Sequence, residues 1–228
     1  MNLLALDTST EFLSLALQLN DKIFTHYQHA EQAASQLVLP QIQALLDEAK
    51  ITLKDLDGIA FGAGPGAFTG VRVACGVAQG LGFGANLPVV GVNTLLALAQ
   101  ASGHERVIAC LDARMGEIYH AAFERKNGEW IELSKTIVCK PESAPVLEGV
   151  WTGLGSGWAV YNEVLTTIYE KNSIKILTNI TPMAEAILQL ATPAFAAGLA
   201  KPACEAAPIY IRNRVALTTL ERAEGLRL

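Results

Sequence analysis

Apolar and polar residues follow one another along the first hundred residues in an order that predicts an open sheet covered by helices. Leucines at every other position from Leu13 to Leu19 have the period of a half-buried strand. The predicted strands are 3–6, 13–19, 22–28, 56–62 and 89–92. The predicted helices are 31–50, 70–84 and 94–102. This alternation favours a mixed, largely parallel sheet with helices packed on it.

The second half of the chain repeats this order from Arg106 onward. Its predicted strands are 107–111, 117–124, 130–139, 150–154 and 174–177, and its predicted helices are 158–170 and 182–200. Both halves begin with an apolar strand, an aspartate, a polar turn and a returning strand, as LALDTSTEFLSLAL and ACLDARMGEIYHAAF. We therefore expect an N-terminal subdomain over 1–103 and a C-terminal subdomain over 104–205. Part of the tail, 206–228, is expected to join the first of these.

The stretch from Phe61 to Gly84 combines a glycine-rich loop with an unusually apolar helix. Thr69 stands where a helix N-cap is expected. Between Gly70 and Gly84 only Arg72 and Gln79 have clearly polar side chains, and glycines recur at every fourth position, at 76, 80 and 84. A helix that is apolar nearly all round must be covered nearly all round. We therefore expect one side to pack on the sheet and the other on a further surface.

Two features of the sequence are compatible with a nucleotide-binding site. The loop GAGPGAFTG could hold an anion at the start of the following helix, but it lacks the Lys-Ser/Thr ending of a Walker loop, and a tight strand-to-helix turn explains it better. Asp7 and Asp112 could face a nucleotide and its magnesium from the two halves, or each could simply close its strand. No serine has the surroundings of a hydrolase nucleophile, and His26 and His29 have no third metal ligand nearby.

Composition narrows the class of protein. Hydrophobic residues make up 51% of the 228 residues, charged residues 17%, and the net charge is −5, which argues against a nucleic-acid-binding protein that works alone. Residues 73–104 carry no charge, but Asn86, Pro88 and Asn93 divide them into helix, strand and helix, so no membrane span is expected. Four widely spaced cysteines fit reduced thiols. We expect a cytoplasmic protein.

Five motifs together resemble one family. In chain order they are LALDTST, GAGPGAFTGVRV, LDARMGEIYHAAF, GSGWAVY and PIYIRN. They are similar to the motifs of the TsaB (YeaZ) family and span almost the whole chain. The resemblance implies a duplicated α/β fold of the ribonuclease H-like, actin-like (ASKHA) type, with two mixed sheets covered by helices and a second half truncated relative to TsaD.

The resemblance also implies a function. TsaD transfers threonylcarbamoyl from threonylcarbamoyl-AMP to N6 of the adenosine next to the anticodon, in tRNAs that read codons beginning with A. TsaB is its non-catalytic heterodimer partner, TsaE is an ATPase that joins them, and tRNA is met only through the complex. Thr94 and Leu98 stand where TsaD has metal-binding histidines, so no catalytic site, metal or cofactor is expected.

In this family the first two helices of each subunit form the dimer interface, and the chain alone is expected to be a homodimer. The expected interface residues lie on helices 31–50 and 70–84. They are Leu37, Pro40, Ala44, Val73, Val77, Gly80, Leu81 and Gly84. The alternative for the second helix is burial within one subunit. The alternative functions are a nucleotide-binding kinase of the same fold and, more remotely, a glycoprotease-like metallopeptidase.

Overall fold

A computed structural model describes residues 1–212. The strands are β1 (Asn2–Asp7), β2 (Phe12–Leu19), β3 (Lys22–His29), β4 (Gly58–Gly64), β5 (Val89–Asn93), β6 (Arg106–Arg114), β7 (Glu117–Lys126), β8 (Glu129–Cys139), β9 (Val150–Leu154) and β10 (Ser173–Leu177). The helices are α1 (Ala34–Ala49), α2 (Phe68–Ala85), α3 (Thr94–Ser102), α4 (Ser156–Val160), α5 (Asn162–Ile168) and α6 (Ala184–Ala196).

The ten strands form two sheets with the same topology. The first has the order β3-β2-β1-β4-β5 and the second β8-β7-β6-β9-β10. In each sheet the first three strands pair antiparallel, and the fourth and fifth add parallel. Half of the strand pairs are thus antiparallel, so the sheets are mixed, as expected, but they are not largely parallel. The repeat confirms the duplicated α/β fold that the sequence predicts.

Helices cover both faces of the first sheet. Leucines on β1 and β2 point alternately to the two faces, since successive strand residues face opposite ways. Leu4 and Leu6 pack with α1 and α2, whereas Leu3 and Ala5 pack with α6. On the second sheet, α3 covers one face, and α4 and α5 cover the other around the buried Trp158 and Tyr169.

Helix α6 follows the second sheet in the chain but packs on the first. Its apolar residues Ile187 and Leu188 lie against β1, β2 and β4. Lys201, beyond α6, pairs with the free edge of β5 through two backbone hydrogen bonds of 2.8 and 2.9 Å. The expected subdomain 104–205 thus contains a helix that completes the core of the other half. The division at 103 and 205 itself stays a prediction, and residues 213–228 of the tail lie outside the described part.

Three predicted helix limits are wrong. Thr69 is not the cap of α2, because the helix begins at Phe68 after Ala67, without a side-chain cap. The helix predicted over 182–200 is shorter: it begins at Ala184, whose amide donates 2.9 Å to Oγ of Ser14 on β2, and it ends at Ala196. The helix predicted over 158–170 is two short helices, divided at Tyr161, where ψ is 34°. Among residues 1–212, no helix combines the length and apolar character needed to cross a bilayer.

Candidate partner face and the cleft between the halves

Helix α2 is covered on one side only within the described chain. Val71, Ala74, Cys75, Ala78 and Gly82 are buried and share the face that packs on β4 and on residues 203–205. The opposite face carries the three glycines at four-residue spacing, and a Cβ atom on any of them would meet nothing within 4 Å. The small residues that could admit a second backbone therefore face open space.

Phe83 is the most exposed apolar side chain of this face. It is 80% exposed, and it lies three residues after Gly80 and seven after Gly76, which places it on the same side of the helix as these glycines. At the start of the helix, Phe68 is also more than half exposed, and the guanidinium of Arg72 lies 3.2 Å from its ring centroid. A helix face of glycine and phenylalanine in contact with water is a candidate binding surface, since soluble proteins rarely expose connected apolar patches.

The expected interface residues fall into two groups of exposure. Gly80, Gly84, Pro40 and Ala44 are exposed. Leu37, Val73, Val77 and Leu81 are half-buried, because they also pack on the core shared by α1, α2 and the first sheet. Phe83 and Leu39, both more than half exposed, are missing from the expected set. The signal that could have found Phe83 is an aromatic residue set among evenly spaced glycines. The assignment of these residues to an interface stays a prediction.

The glycine-rich loop lies tightly against the end of β1. A Cβ atom on Gly62 would overlap Oδ2 of Asp7, one on Gly70 would overlap the carbonyl of Thr8, and one on Gly66 would lie 2.5 Å from the carbonyl of Ser9. The hydroxyl of Thr8 donates 2.6 Å to the carbonyl of Gly70. These glycines thus allow two backbones to touch, which favours a packed strand-to-helix turn over an open anion cradle.

Asp7 is enclosed by this packing. Its Oδ1 accepts hydrogen bonds from the amide and the hydroxyl of Ser9, at 2.9 and 2.8 Å. Its Oδ2 is buried and has no hydrogen-bond partner within residues 1–212. Burial raises the pKa of Asp7 to about 6, against the lowering effect of the Ser9 bonds. With 1% of its surface exposed, this carboxylate has almost no surface in the cleft.

Asp112 has hydrogen-bond and ion-pair partners close by in the chain. Its Oδ1 accepts a hydrogen bond of 2.9 Å from the amide of Arg114, and its Oδ2 lies 3.1 Å from that residue's guanidinium. The hydroxyl of Tyr161 is 3.4 Å from Oδ1. The carboxylate therefore stabilises the turn between β6 and β7, where Arg114, Met115 and Gly116 all have positive φ.

The segment from Ile209 to Arg212 runs across the cleft between the halves. The amide of Ile209 donates 2.7 Å to the carbonyl of Ala63 in the first half. The Arg212 guanidinium binds Glu117 and the carbonyl of Ala113 in the second. The space left between this segment and the glycine-rich loop is about 50 Å³. Ligand pockets are roughly 300–1,000 Å³, so this space does not accommodate a nucleotide.

Comparison with known proteins identifies the family. A family model described as TsaD, tRNA N6-adenosine threonylcarbamoyltransferase, matches residues 25–212. The tRNA threonylcarbamoyladenosine biosynthesis protein TsaB of Escherichia coli is 38% identical, over 98% of this chain and 100% of its own length. Its namesake in Haemophilus influenzae is 37% identical, over 94% of this chain and 95% of its own. The chain belongs to the TsaB family.

Solved structures agree with this membership of the TsaB family. YeaZ from Pseudomonas aeruginosa superposes with a TM-score of 0.84 and 40% identity, covering 92% of this chain and 99% of that one. A second Pseudomonas aeruginosa structure, of an uncharacterized protein with similarity to peptidase YEAZ, gives a TM-score of 0.85 over the same shares at 40% identity. The family and fold expected from the five motifs are therefore confirmed.

The positions at which the TsaB family is expected to differ from TsaD are buried in this chain. Thr94 and Leu98, on the first turns of α3, are both fully buried. The Thr94 hydroxyl accepts the amide of Gly64 at 3.1 Å, and Leu98 packs in the core of the second sheet. Neither side chain fits a metal ion as a ligand. Within the described part of the chain, no three His, Cys, Asp or Glu side chains converge as a metal-binding group.

Proposed function

We propose that this chain takes part in tRNA threonylcarbamoyladenosine biosynthesis as the non-catalytic partner of a TsaD-type transferase. It activates the transfer of threonylcarbamoyl from threonylcarbamoyl-AMP to N6 of the adenosine next to the anticodon, in tRNAs that read codons beginning with A. The observation that carries the proposal is the apolar face of α2. This face is exposed to solvent, although its glycines and Phe83 would allow another helix to pack closely on it.

The chemistry of this face suits a helix of a partner protein. Interface cores are enriched in aromatic residues and depleted in charged ones, and the α2 face presents Phe83 among glycines with Arg72 and Gln79 at one side. Glycines at four-residue spacing allow a facing helix to approach closely. Exposed Pro40 and Ala44 extend the surface onto α1. The partner is TsaD, and a second copy of this chain occupies the same face when TsaD is absent.

Three observations support a role without catalysis. Asp7 is enclosed, the cleft between the halves is filled by the chain's own segment 209–212, and the positions of Thr94 and Leu98 do not suit a metal. A kinase of this fold would need an open cleft with an accessible carboxylate at the nucleotide. These features disfavour that alternative, and none of them favours a metallopeptidase. TsaE joins the pair as its ATPase, tRNA binds the complex, and the complex is cytoplasmic.

The test is reconstituted tRNA modification. TsaD, TsaE, ATP, threonylcarbamoyl-AMP and unmodified tRNA are combined with and without this chain, and modified adenosine is quantified after nuclease digestion. We expect modification to depend on the chain, and the chain alone to yield none. Equal modification without it, or ATP turnover by the chain alone, would contradict the proposal.

A further inference from the structure

A cavity of about 150 Å³ opens between the two halves at the carboxyl end of β5, away from the α2 face. The first half contributes its floor from the start of α3, and the second half contributes walls from β7 and β8. The lining residues are Asn93, Leu96, Phe123, Trp130 and Glu132. An enclosed, engineered protein cavity of about this volume holds one benzene molecule. This pocket is open to solvent, so only the part of an occupant that lies inside it is limited to roughly six non-hydrogen atoms.

Hydrogen bonds fix one oxygen of the Glu132 carboxylate, which lies at the mouth of this cavity. Oε1 of Glu132 accepts the amide and the hydroxyl of Thr136, at 2.8 and 3.0 Å. Asn93 holds the same hydroxyl from the first half, with Nδ2 at 2.9 Å from Oγ1 of Thr136, while its Oδ1 accepts two amides of α3. Glu132 is exposed, and its Oε2 has no hydrogen-bond or ion-pair partner among residues 1–212, so it is open to solvent. The carboxylate is therefore held in place with one acceptor atom to spare.

The indole of Trp130 is held in place as well. Its Nε1 donates 2.6 Å to Oε1 of Gln100 on α3, whose amide nitrogen donates to Gln189 on α6. The Phe123 ring packs edge-on against it, with centroids 6.4 Å apart. The guanidinium of Arg125 lies 5.7 Å from the indole and does not line the cavity. The cavity wall thus combines the fixed rings of Trp130 and Phe123 with the negative charge of Glu132.

We propose that this cavity binds a primary ammonium group carried on a short apolar chain. The free oxygen of Glu132 accepts one N–H donor, and the indole of Trp130 attracts the positive charge and covers the methylene groups. An anion is disfavoured by the carboxylate. A guanidinium would lose the bidentate pairing that favours it over an ammonium, because Thr136 already occupies Oε1 of Glu132. Leu96 and Phe123 supply the apolar contact for the chain.

Two sources offer this chemistry: a free alkylamine and the side chain of lysine on another protein. Both present an ammonium on a four-carbon apolar chain, and they differ in whether that chain ends in a methyl group or continues into a peptide backbone. If the pocket is open enough to accommodate the peptide backbone next to the side chain, it can bind a lysine of another protein. The probes n-butylammonium and N-acetyl-lysine methylamide separate the two sources. Saturable binding of n-butylammonium supports the proposal, and the second probe decides between a free amine and a protein.

The experiment uses the indole N–H signals of the full chain in a ¹H–¹⁵N NMR spectrum. The chain has three tryptophans, and Trp151 and Trp158 are buried, so Trp130 reports on the cavity and is assigned with Trp130→Phe. n-Butylammonium chloride is titrated against sodium chloride at equal ionic strength. We expect a saturable shift of the Trp130 signal, with Trp151 and Trp158 unmoved. n-Butanol, which has the same chain without the charge, is expected to bind at least fivefold more weakly.

Two variants test the role of the carboxylate. Glu132→Gln keeps an oxygen for Thr136 but removes the charge, and we expect it to weaken n-butylammonium binding at least fivefold. Glu129→Gln removes the same charge from an exposed position on the same strand, outside the cavity, and is expected to bind within twofold of the original. Unchanged Trp151 and Trp158 signals show that the variants are folded. An unmoved Trp130 signal, equal binding of n-butanol, or equal effects of the two variants would overturn the proposal.

Discussion

The carboxylate of Asp7 lies so close to the α-carbon of Gly62 that no side-chain carbon fits between them. A Cβ atom on Gly62 would overlap Oδ2 of Asp7. The carboxylate cannot turn away freely, because Oδ1 is bound to the amide and hydroxyl of Ser9. This contact joins the end of β1 to β4 and closes the base of the glycine-rich loop.

We predict that Gly62→Ala destabilises the fold by about 1–3 kcal/mol, because a buried carboxylate and two strands must shift to admit a methyl group. Urea unfolding followed by circular dichroism measures the change. Gly76→Ala is the matched control, since no atom of the same chain lies within 4 Å of its methyl group, and both variants are measured at a protein concentration low enough for the chain to be monomeric. There the exchange is expected to stabilise by up to about 1 kcal/mol, through helix propensity. Equal effects at both positions would show that Asp7 and Gly62 are not in tight contact.

Asp7 should make stability depend on pH. Its pKa rises from 3.8 to about 6 on burial, so the folded state binds the proton more tightly than the unfolded state does. The resulting stabilisation is fully present below pH 4 and is lost as the pH rises through about 6. We expect Asp7→Asn to remove this dependence, so that the original loses on the order of 2–3 kcal/mol relative to the variant between pH 4 and 7.

Urea unfolding of the original and of Asp7→Asn at half-unit steps of pH measures this difference. The asparagine keeps an oxygen that can accept both Ser9 bonds, so the variant is expected to fold. Parallel pH profiles for the two proteins would contradict the shift in pKa.

The α2 face gives a prediction for partner binding. Gly80→Leu places a bulky side chain where a facing helix would approach, and we expect it to abolish co-purification with TsaD. Because no atom of this chain lies within 4 Å of a Cβ atom at position 80, and leucine favours helix more than glycine by roughly 0.8 kcal/mol, the monomer of the variant should be at least as stable as the monomer of the original.

Thr166→Leu adds leucine to an exposed position of α5 and is expected to leave pairing intact. Loss of pairing in both variants would mean that added hydrophobicity, rather than position, is responsible. Retention of pairing by Gly80→Leu would remove this helix face from the interface. Val77→Glu is a less clean test, because Val77 packs partly on the core.

The segment across the cleft is expected to couple the two halves. Arg212→Ala removes the hydrogen bonds to Glu117 and to the carbonyl of Ala113. We expect the free energy of unfolding to fall by about 1–2 kcal/mol, because these hydrogen bonds involve charged groups but are partly screened by water. A double-mutant cycle with Glu117→Gln measures the interaction energy between Arg212 and Glu117. Fully additive losses would mean that this pair does not hold the cleft.

Much of the fold could be predicted because its determinants are local. Alternating leucines in β2, apolar runs ended by Asp7 and Asp112, and the repeated order of elements are properties of neighbouring residues, and they led to ten strands in two matching sets. The motifs also led to the family. The apolar character of α2 predicted that part of the helix needs a partner beyond the sheet, and its uncovered face is consistent with that expectation.

The tertiary structure decided what depends on residues far apart in the chain. The apolar pattern of α6 requires burial but does not select a sheet, and its first amide is bound by Ser14, 170 positions earlier. The same holds for the enclosure of Asp7 by Gly62 and for Arg212 reaching Glu117. Helix and strand propensities act over a few residues, whereas these contacts exist only after the chain has closed on itself. The sequence by itself therefore determined the elements, their duplication and the family, and the tertiary structure decided which surfaces the chain covers and which it leaves exposed.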